Sequence, residues 1–205
     1  MKYPNRREEN ILFKQGLEVV AGIDEVGRGA WAGPVVAGCV ILPKKIYLPR
    51  VADSKILSAK IREKLFKEIV ATAIDWTIGI VWQDVIDEIG IMEANIEAIN
   101  QALTQLKIDP EFLLIDKLGR RQIKFFNSPP YKLIIDGDYK VTSIAAASIV
   151  AKVTRDKIMT EHSEKYPEYH FAQHKGYGTK LHHKMIKKHG PCHFHRKSFR
   201  PIKNL

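Results

Sequence analysis

Two acidic residues and an arginine between glycines stand together near the start of the chain. Asp24 and Glu25 end the apolar run 19–23, and a Gly-Arg-Gly segment follows at 27–29. Carboxylates supply hard oxygen ligands for divalent metal ions, and an arginine can bind phosphate oxygens through two parallel hydrogen bonds. This combination is typical of a site that holds metal ions and a phosphate chain together, and it indicates chemistry on nucleic acids.

Asp116 and Asp138 share the local setting of that acidic pair. The apolar pattern predicts strands over 19–24, 112–116 and 133–135, and all four acids lie at or just beyond the end of one of them. Sites in α/β proteins gather at strand ends, so neighbouring strands would bring four carboxylates together. Such groups repel one another, and we expect two divalent ions, Mg²⁺ or Mn²⁺, to relieve the repulsion and activate a water molecule.

Acids at strand ends also have a purely structural explanation. They form turns and cap helices in many proteins, and for a single acid this role is the commoner one. Asp136 illustrates the ambiguity, because it lies two residues before Asp138 in the same predicted turn. The local pattern leaves both residues open as metal ligands.

Strands and helices alternate along the chain after an opening hairpin. The hairpin pairs 19–24 with 34–42 around the glycine loop, and a third strand is predicted over 76–81. The predicted helices cover 58–74, 83–88, 91–106, 143–162 and 180–189, with Ser58 and Ser143 as expected caps. The apolar residues of the 58–74 helix fall on one face. This order predicts an α/β protein, a mixed β-sheet flanked by helices, in one domain with a basic helical extension at about 166–205.

Charge is concentrated at the C-terminal end of the chain. The net charge is +10, and from Tyr169 to Leu205 there are nine Lys or Arg residues and no Asp or Glu. A basic surface attracts polyanions, which favours nucleic-acid binding, although a solubilising tail has the same composition. All eight histidines lie between His162 and His195; their spacing, and that of Cys192, matches no standard zinc finger, so a basic groove lining is favoured over a zinc site.

The composition also indicates the location of the protein in the cell. No apolar stretch reaches the roughly 18 residues that cross a bilayer, and the polar N-terminus lacks the apolar segment of a signal peptide. We therefore expect a cytoplasmic protein without membrane association, and nothing in the sequence demands more than a monomer.

Across about 19–201 the sequence resembles ribonuclease HII, the type 2 ribonucleases H. The matching motifs occur in the same order, and they are IDEVGRG at 23–29, AGPVVAG at 32–38, DSK at 53–55, LLID at 113–116, GD at 137–138, SIAAASIVAKVTRD at 143–156, HKGYGT at 174–179 and GPCHFHRKSF at 190–199. One short motif would be weak evidence, but this many in register form a specific pattern.

The resemblance implies a ribonuclease H-like fold and an activity. The activity would be a Mg²⁺- or Mn²⁺-dependent endonuclease that cleaves the RNA strand of RNA–DNA hybrids and nicks duplex DNA 5′ to an embedded ribonucleotide. The products would carry 3′-hydroxyl and 5′-phosphate ends, and the role would be ribonucleotide removal from DNA. The implied metal ligands are Asp24, Glu25, Asp116 and Asp138, which favours Asp138 over Asp136.

Candidate substrate contacts come from the resemblance and from helical spacing. The resemblance implies that Gly27, Arg28 and Gly29 read the ribose 2′-hydroxyl, that Tyr177 packs on the following deoxyribose and that Lys55 binds phosphate. Ser148, Lys152 and Arg155 lie at i, i+4 and i+7 of one predicted helix, so they share a face, and we expect phosphate contacts there. Asp156 lies four residues after Lys152 and offers it a simple ion-pair partner instead.

Three positions depart from the pattern of the family. Lys117 stands where glycine is more usual, Asp136 where lysine is frequent, and His170 where glycine is frequent. The first two flank proposed metal ligands, so they could alter metal affinity.

Two other functions stay open at this level. A type 3 ribonuclease H resembles this chain but carries an extra N-terminal domain and usually lysine at the position of Arg28; the roughly 18 residues before the first strand leave no room for that domain. A non-enzymatic binder of hybrids would use the basic C-terminal region alone, without metal or carboxylates.

Overall fold

The fold is described from a computed structural model that covers residues 3–46, 48, 51, 57–117 and 129–204. Its strands are β1 (Val20–Val26), β2 (Val35–Ile41), β3 (Asp75–Val81), β4 (Phe112–Asp116) and β5 (Tyr131–Ile134). Its helices are α1 (Arg7–Lys14), α2 (Ala59–Thr72), α3 (Gln83–Ile89), α4 (Ile91–Thr104), α5 (Gly137–Lys140), α6 (Thr142–Lys165), α7 (Phe171–His174) and α8 (Lys180–His189).

The strands form one mixed sheet with the order β3–β2–β1–β4–β5. β1 pairs antiparallel with β2 and parallel with β4, so it lies at the centre of the sheet. One face is covered by α3 and α4, and the other by α2 and α6. The predicted α/β class, the opening hairpin and the mixed sheet flanked by helices are confirmed.

Helix α6 approaches the sheet unusually closely, because two strand positions opposite it are glycines. A Cβ atom on Gly22 of β1 would lie 2.2 Å from the carbonyl carbon of Ser143, and one on Gly38 of β2 would lie 2.5 Å from the carbonyl oxygen of Ala147. Contacts this short are not possible, so only glycine admits the helix at this distance. The close approach brings the polar residues of α6 over the strand that carries the acidic pair.

The N-terminus of α6 differs from the sequence prediction. Ser143 was the expected cap, but the helix begins two residues earlier than such a cap implies, and Val141 occupies the cap position, with no side-chain cap of its own. The buried carboxylate of Glu9, on the unpredicted helix α1, accepts a hydrogen bond from the Ser143 amide at 2.9 Å. A distant helix therefore supplies the cap. The predicted cap at Ser58 is confirmed, since its hydroxyl accepts from the Ile61 amide.

The basic C-terminal region packs on α6 through its own apolar cluster. Phe171, Ile186, Phe194 and Ile202 are buried together with Met159 of α6. This cluster is separate from those that line the sheet. The organisation as a single catalytic domain with a 166–205 extension packed on it stays a prediction. Among the helices that the structure describes, none combines the length and apolar character that a bilayer crossing requires.

Replacing Glu9 tests whether α1 caps α6. Glu9→Ala removes the acceptor for the Ser143 amide, and loss of a helix cap costs about 1–2 kcal/mol, so we expect Tm to fall by about 2–8 °C. The matched control is Glu8→Ala on the same helix. Glu8 forms a partly exposed ion pair with Lys132, and such pairs contribute at most about 1 kcal/mol. Equal losses in thermal unfolding of the two variants would contradict the assignment.

Candidate active site

The acidic pair lies within β1 and not at its end. The prediction that the strand stops at Asp24 is wrong, because the pairing with β2 continues through Asp24–Gly38 and Glu25–Ala37 to Val26. Side chains alternate along a strand, so Asp24 faces α6 and Glu25 faces the opposite side. The pairing with β2, which continues on to Val26, holds the backbone of the acidic pair in place.

Asp116 and Asp138 reach the same region from neighbouring elements. Asp116 is the last residue of β4, which runs parallel to β1, and its Oδ1 accepts a hydrogen bond from the Gly137 amide at 2.7 Å. Asp138 follows in α5 and is only 2% exposed. The Gly137 contact therefore ties the turn that carries Asp138 to the end of β4.

The structure distinguishes Asp138 from Asp136, which the sequence pattern could not. Asp136 has a left-handed backbone (φ 53°) at the start of α5. Its side chain is 67% exposed and lies 3.8 Å from Lys140. Asp136 is thus a turn residue that faces solvent, whereas Asp138 faces inward towards Asp24.

The carboxylates are close enough to repel one another. Burial raises the pKa of Asp24 well above its usual range, and the charges of Glu25, Asp116 and Asp138 add to this, against a hydrogen bond from Ser148 that lowers it. The pKa of Glu25 is raised to about 7. Burial is the main cause, the charge of Arg28 lowers this pKa and the charge of Asp116 raises it. The predicted convergence of the four acids is therefore present in the fold.

This environment fits a hard divalent cation. Within the described residues, no three His, Cys, Asp or Glu side chains already have the spacing of a closed metal site. However, Glu25 Oε2 is buried without a hydrogen-bond partner, and the repulsion among the acids is the condition that a cation relieves. An all-oxygen set of this kind suits ions such as Mg²⁺ and Mn²⁺.

A cleft of about 430 Å³ opens above the acidic pair. It is lined by Asp24, Glu25, Val26, Arg62, Ser148, Lys152 and Tyr177. One wall is acidic, another is cationic, and an aromatic ring closes the third side. This arrangement can hold a polyanionic chain beside bound cations.

Asp156 organises the cationic wall. Its carboxylate contacts Lys152 Nζ at 2.7 Å and Arg62 Nη2 at 3.4 Å. The predicted pairing of Lys152 with Asp156 is confirmed, and Lys152 Nζ also lies 5.7 Å from the centre of the Tyr177 ring. Nothing in the sequence pattern indicates Arg62 as a site residue, because its position on α2 gives no sign that this helix borders the site.

The two glycines of the 27–29 loop have different roles. Gly27 has a φ of +97°, and a Cβ there would lie 2.3 Å from the buried Nε of Arg155, so the fold itself requires glycine. Gly29 is exposed, and a Cβ there would meet nothing within 4 Å. Arg28 is partly exposed, and its Nη1 lies 3.3 Å from Glu25 Oε1. Within the 27–29 loop, only Arg28 and Gly29 therefore offer a surface to a substrate.

Comparisons with known proteins agree with this geometry. The family model described as Ribonuclease HII matches residues 21–202. The chain belongs to the ribonuclease HII family. Ribonuclease HII of Bacillus thuringiensis (strain Al Hakam) is 52% identical over 197 residues, which cover 96% of this chain and 75% of the relative.

Solved structures of the family have the same fold. The ribonuclease H2 of Pyrococcus horikoshii OT3 is 28% identical, with a TM-score of 0.78 over 91% of this chain and 96% of that one. The ribonuclease HII of Archaeoglobus fulgidus, solved in a complex with PCNA, is 25% identical, with a TM-score of 0.74 over 89% and 95%. The protein is thus a hydrolytic endoribonuclease that acts on RNA–DNA hybrids with the help of divalent metal ions.

Arg155 does not fit the phosphate contact that its helical position predicts. Its side chain is fully buried, and its guanidinium donates hydrogen bonds of 2.9–3.1 Å to the carbonyls of Ala32, Pro34 and Lys175. The error has a simple cause: the face shared with Ser148 and Lys152 passes beneath the loop that follows Gly29. In this member of the ribonuclease HII family, Arg155 supports that loop from inside.

A second buried arginine performs a similar task and was missed. Arg196 is fully buried and donates to the carbonyls of Gly33 and Arg28 at 2.9 and 3.0 Å. Burial lowers its pKa, and the charge of Arg155 lowers it further. Its location in a basic tail gave no sign that the side chain turns inward.

The histidine-rich stretch is only partly the basic groove lining that the sequence favoured. His174, His182 and His195 are buried against one another, and the His182 and His195 Nε2 atoms are 3.0 Å apart. The described residues hold no group of three metal-binding side chains at this place. Lys55, predicted to bind phosphate, lies outside the described residues, and Lys117 is exposed just beyond β4.

Metal binding should depend on pH in a defined direction. The pKa values of Asp24 and Glu25 are raised above their unfolded values, so these groups favour folding at low pH, and this contribution is lost as pH rises through the folded pKa values, which for Glu25 is about 7. At pH 8 the carboxylates repel one another fully until a cation binds, whereas at pH 6 bound protons already reduce this repulsion. We expect Mg²⁺ at about 100 times its Kd to raise Tm by about 5–10 °C at pH 8, and by less at pH 6.

Thermal unfolding with Mg²⁺ or chelator measures this difference. Asp24→Asn should have a higher Tm than the natural protein in chelator at pH 8, and its response to Mg²⁺ should be small. Asp136→Asn is the control and should respond normally. Equal Mg²⁺ shifts at the two pH values would show that the carboxylates do not carry the effect.

Proposed function

We propose that this protein nicks duplex DNA on the 5′ side of an embedded ribonucleotide, in addition to cutting the RNA strand of hybrids. The observation that carries the proposal is the meeting of three features at one cleft: four interacting carboxylates, a cationic wall and the exposed Arg28–Gly29 loop. Family membership supplies the reaction class, and the arrangement of these features supports the finer specificity. The cellular role that follows is removal of ribonucleotides from DNA.

The proposed ligands of two divalent ions, Mg²⁺ or Mn²⁺, are Asp24, Glu25, Asp116 and Asp138. When bound, such ions supply the positive charge that activates a water molecule and stabilises the leaving oxygen. In hydrolysis the water oxygen forms a bond to phosphorus and the bond from phosphorus to the upstream O3′ breaks. The upstream strand then ends in a 3′-hydroxyl, and the ribonucleotide keeps the phosphate at its 5′ end.

The chain's own residues orient the substrate around this point. Ser148 donates a hydrogen bond to Asp24 and so fixes the rotamer of that carboxylate. Lys152 and Arg62 border the cleft, held in place by Asp156, and we assign them to phosphate oxygens. A depression of about 410 Å³, also lined by Arg62 and by Lys175, continues the cleft and extends the path for a phosphate chain.

Recognition of the ribose is assigned to the 27–29 loop and to Tyr177. The 2′-hydroxyl is the group that distinguishes RNA from DNA, and the exposed backbone at Gly29 allows close approach to it. Arg28 is held by Glu25 in the free protein and is exposed enough to turn towards a phosphate. The Tyr177 ring borders the same cleft and offers a flat surface for the following deoxyribose.

Three further points concern the oligomeric state, the location in the cell and the binder hypothesis. The monomeric state that the sequence suggested stays a prediction. The cytoplasmic location inferred from the sequence stays a prediction. The binder hypothesis is left as an outcome of the experiment below, since a binder would need neither the carboxylates nor a metal ion.

The decisive assay uses a DNA duplex that contains a single ribonucleotide, with Mg²⁺, Mn²⁺ or chelator. We expect one metal-dependent nick 5′ to the ribonucleotide and no cleavage of an all-DNA duplex. Asp138→Asn should lower kcat at least about 100-fold, the usual scale for losing an electrostatic group at the reacting centre. Asp136→Asn is the matched control, two residues away and exposed, and should stay within about threefold of the natural protein.

Other outcomes have definite meanings. Cleavage of long hybrids alone, with the single ribonucleotide untouched, would assign the protein a type 3 specificity. Tight binding without cleavage in either metal would support the binder. Equal losses in the two aspartate variants would remove the distinction between Asp136 and Asp138.

The two loop glycines provide a second prediction. Gly29→Ala should fold normally, because its Cβ has open space, but should lower kcat/KM on the single-ribonucleotide duplex about tenfold or more by keeping the sugar away. Gly27→Ala should lower Tm instead, because its positive φ and its contact with Arg155 leave no room for a side chain. Circular dichroism melting and steady-state kinetics on both variants test this. The reverse pattern would contradict the assignment.

A further inference from the structure

Three buried histidines lie directly beneath the loop that carries Tyr177. His174, His182 and His195 are 8%, 0% and 1% exposed. The rings of His174 and His182 stack with their centres 4.3 Å apart. The rings of Trp31, Tyr169 and Phe171 enclose the group. The catalytic reaction uses none of the three imidazoles, so their presence calls for another explanation.

The hydrogen-bond partners fix one proton on each ring. His182 Nδ1 lies 3.0 Å from the Tyr177 carbonyl, which can only accept, so Nδ1 carries the proton and Nε2 is an acceptor. His195 Nδ1 accepts from the Cys192 amide at 3.0 Å, so its Nε2 carries the proton and donates to His182 Nε2 across 3.0 Å. These assignments are mutually consistent, and they describe a chain of donors that runs from Cys192 to Tyr177.

The third ring supports the neighbouring peptide group. His174 Nε2 lies 2.8 Å from the Tyr169 carbonyl, so it carries the proton, and Nδ1 accepts from the Gly176 amide at 3.2 Å. The cluster thus fixes the amide of Gly176 and the carbonyl of Tyr177 from below. From the other side, the Trp31 amide donates to the Gly176 carbonyl at 2.8 Å. The Tyr177 loop is therefore held between the histidines and the segment that follows Gly29.

We propose that His182 and His195 form a neutral hydrogen-bonded relay that, together with the stacked ring of His174, positions Tyr177 for the substrate. The inference rests on the role given to Tyr177 in the proposed function. The histidines are positioning residues, since they act through the backbone of Tyr177 and touch no reacting atom. The relay works in one proton arrangement, because an extra proton would place two N–H groups face to face between His182 and His195.

The burial of the rings agrees with this state. Burial lowers the pKa of His182 to about 3 and that of His195 to about 4, and the neighbouring His174 lowers both further. Burial lowers the pKa of His174 as well. His182 and His195, the two rings that share a hydrogen bond, are consequently neutral at pH 7.

Asparagine and glutamine substitutions separate the two nitrogen positions of each ring. The asparagine amide lies at about the distance of Nδ1 from the backbone, and the glutamine amide at about that of Nε2. For His182, Asn keeps the donor to the Tyr177 carbonyl, whereas Gln loses it. For His195, Gln keeps the donor to His182, whereas Asn loses it. The relay therefore predicts opposite preferences at two neighbouring buried positions.

The test measures kcat/KM on the single-ribonucleotide duplex for the four variants. We expect His182→Gln and His195→Asn to lose about tenfold, the effect of one buried hydrogen bond. His182→Asn and His195→Gln should stay within about threefold. A role in packing alone would give the same preference at both positions, and that result would overturn the proposal, as would normal activity of all four variants.

A double substitution shows whether the effect passes through Tyr177. If it does, His182→Gln should cause little further loss in a Tyr177→Ala protein. A tenfold loss in both backgrounds would overturn the relay while leaving the role of Tyr177 intact. Normal activity of Tyr177→Ala itself would instead overturn the role given to Tyr177 in the proposed function, and the relay with it. If His182→Gln does not fold, the His195 pair carries the same comparison.

Discussion

The close contact between α6 and the first two strands determines the geometry of the whole site. Gly22 and Gly38 allow the helix backbone to approach to a distance that any side chain would prevent. Because of this approach, Ser148 reaches the carboxylate of Asp24, and the next turns of the helix bring Lys152 to the cleft and Arg155 beneath the loop. One helix thus positions the Asp24 carboxylate, the Lys152 ammonium in the cleft and the segment that follows Gly29, and a shift of that helix would move all three together.

The site is held in an arrangement that is costly for the free protein. Carboxylates are buried beside one another, and two arginines are buried with backbone carbonyls as their partners. Burying charge without a counter-charge is unfavourable, and the rest of the fold must compensate for it. This arrangement favours binding and catalysis. A cation or a polyanion that enters the cleft meets side chains that are already in position, so it does not have to order them.

Much of the site could be predicted from sequence, and the failures share a cause. Short motifs located the four carboxylates, and apolar patterns located the strands and the longer helices. The errors at Ser143 and Arg155 arose because their roles depend on partners more than 100 residues away, Glu9 in one case and Pro34 in the other. Helical spacing indicates which side chains share a face, but not whether another segment covers that face. The choice between Asp136 and Asp138 likewise depended on a left-handed backbone angle that no local pattern specifies.

Chemistry and recognition are supported by different parts of the molecule. Asp24, Glu25 and Asp116 stand on paired strands of the sheet, and the hydrogen bond from Gly137 to Asp116 ties the turn that carries Asp138 to the end of β4. The 27–29 loop and Tyr177, to which recognition of the ribose is assigned, rest on the C-terminal region, through Arg196 and the histidines. The two parts meet where Ala30 pairs with Tyr177 in an isolated bridge. Substitutions in the basic C-terminal region should therefore affect substrate selection more readily than metal binding. The sheet keeps the carboxylates in place whether or not the 27–29 loop is correctly positioned.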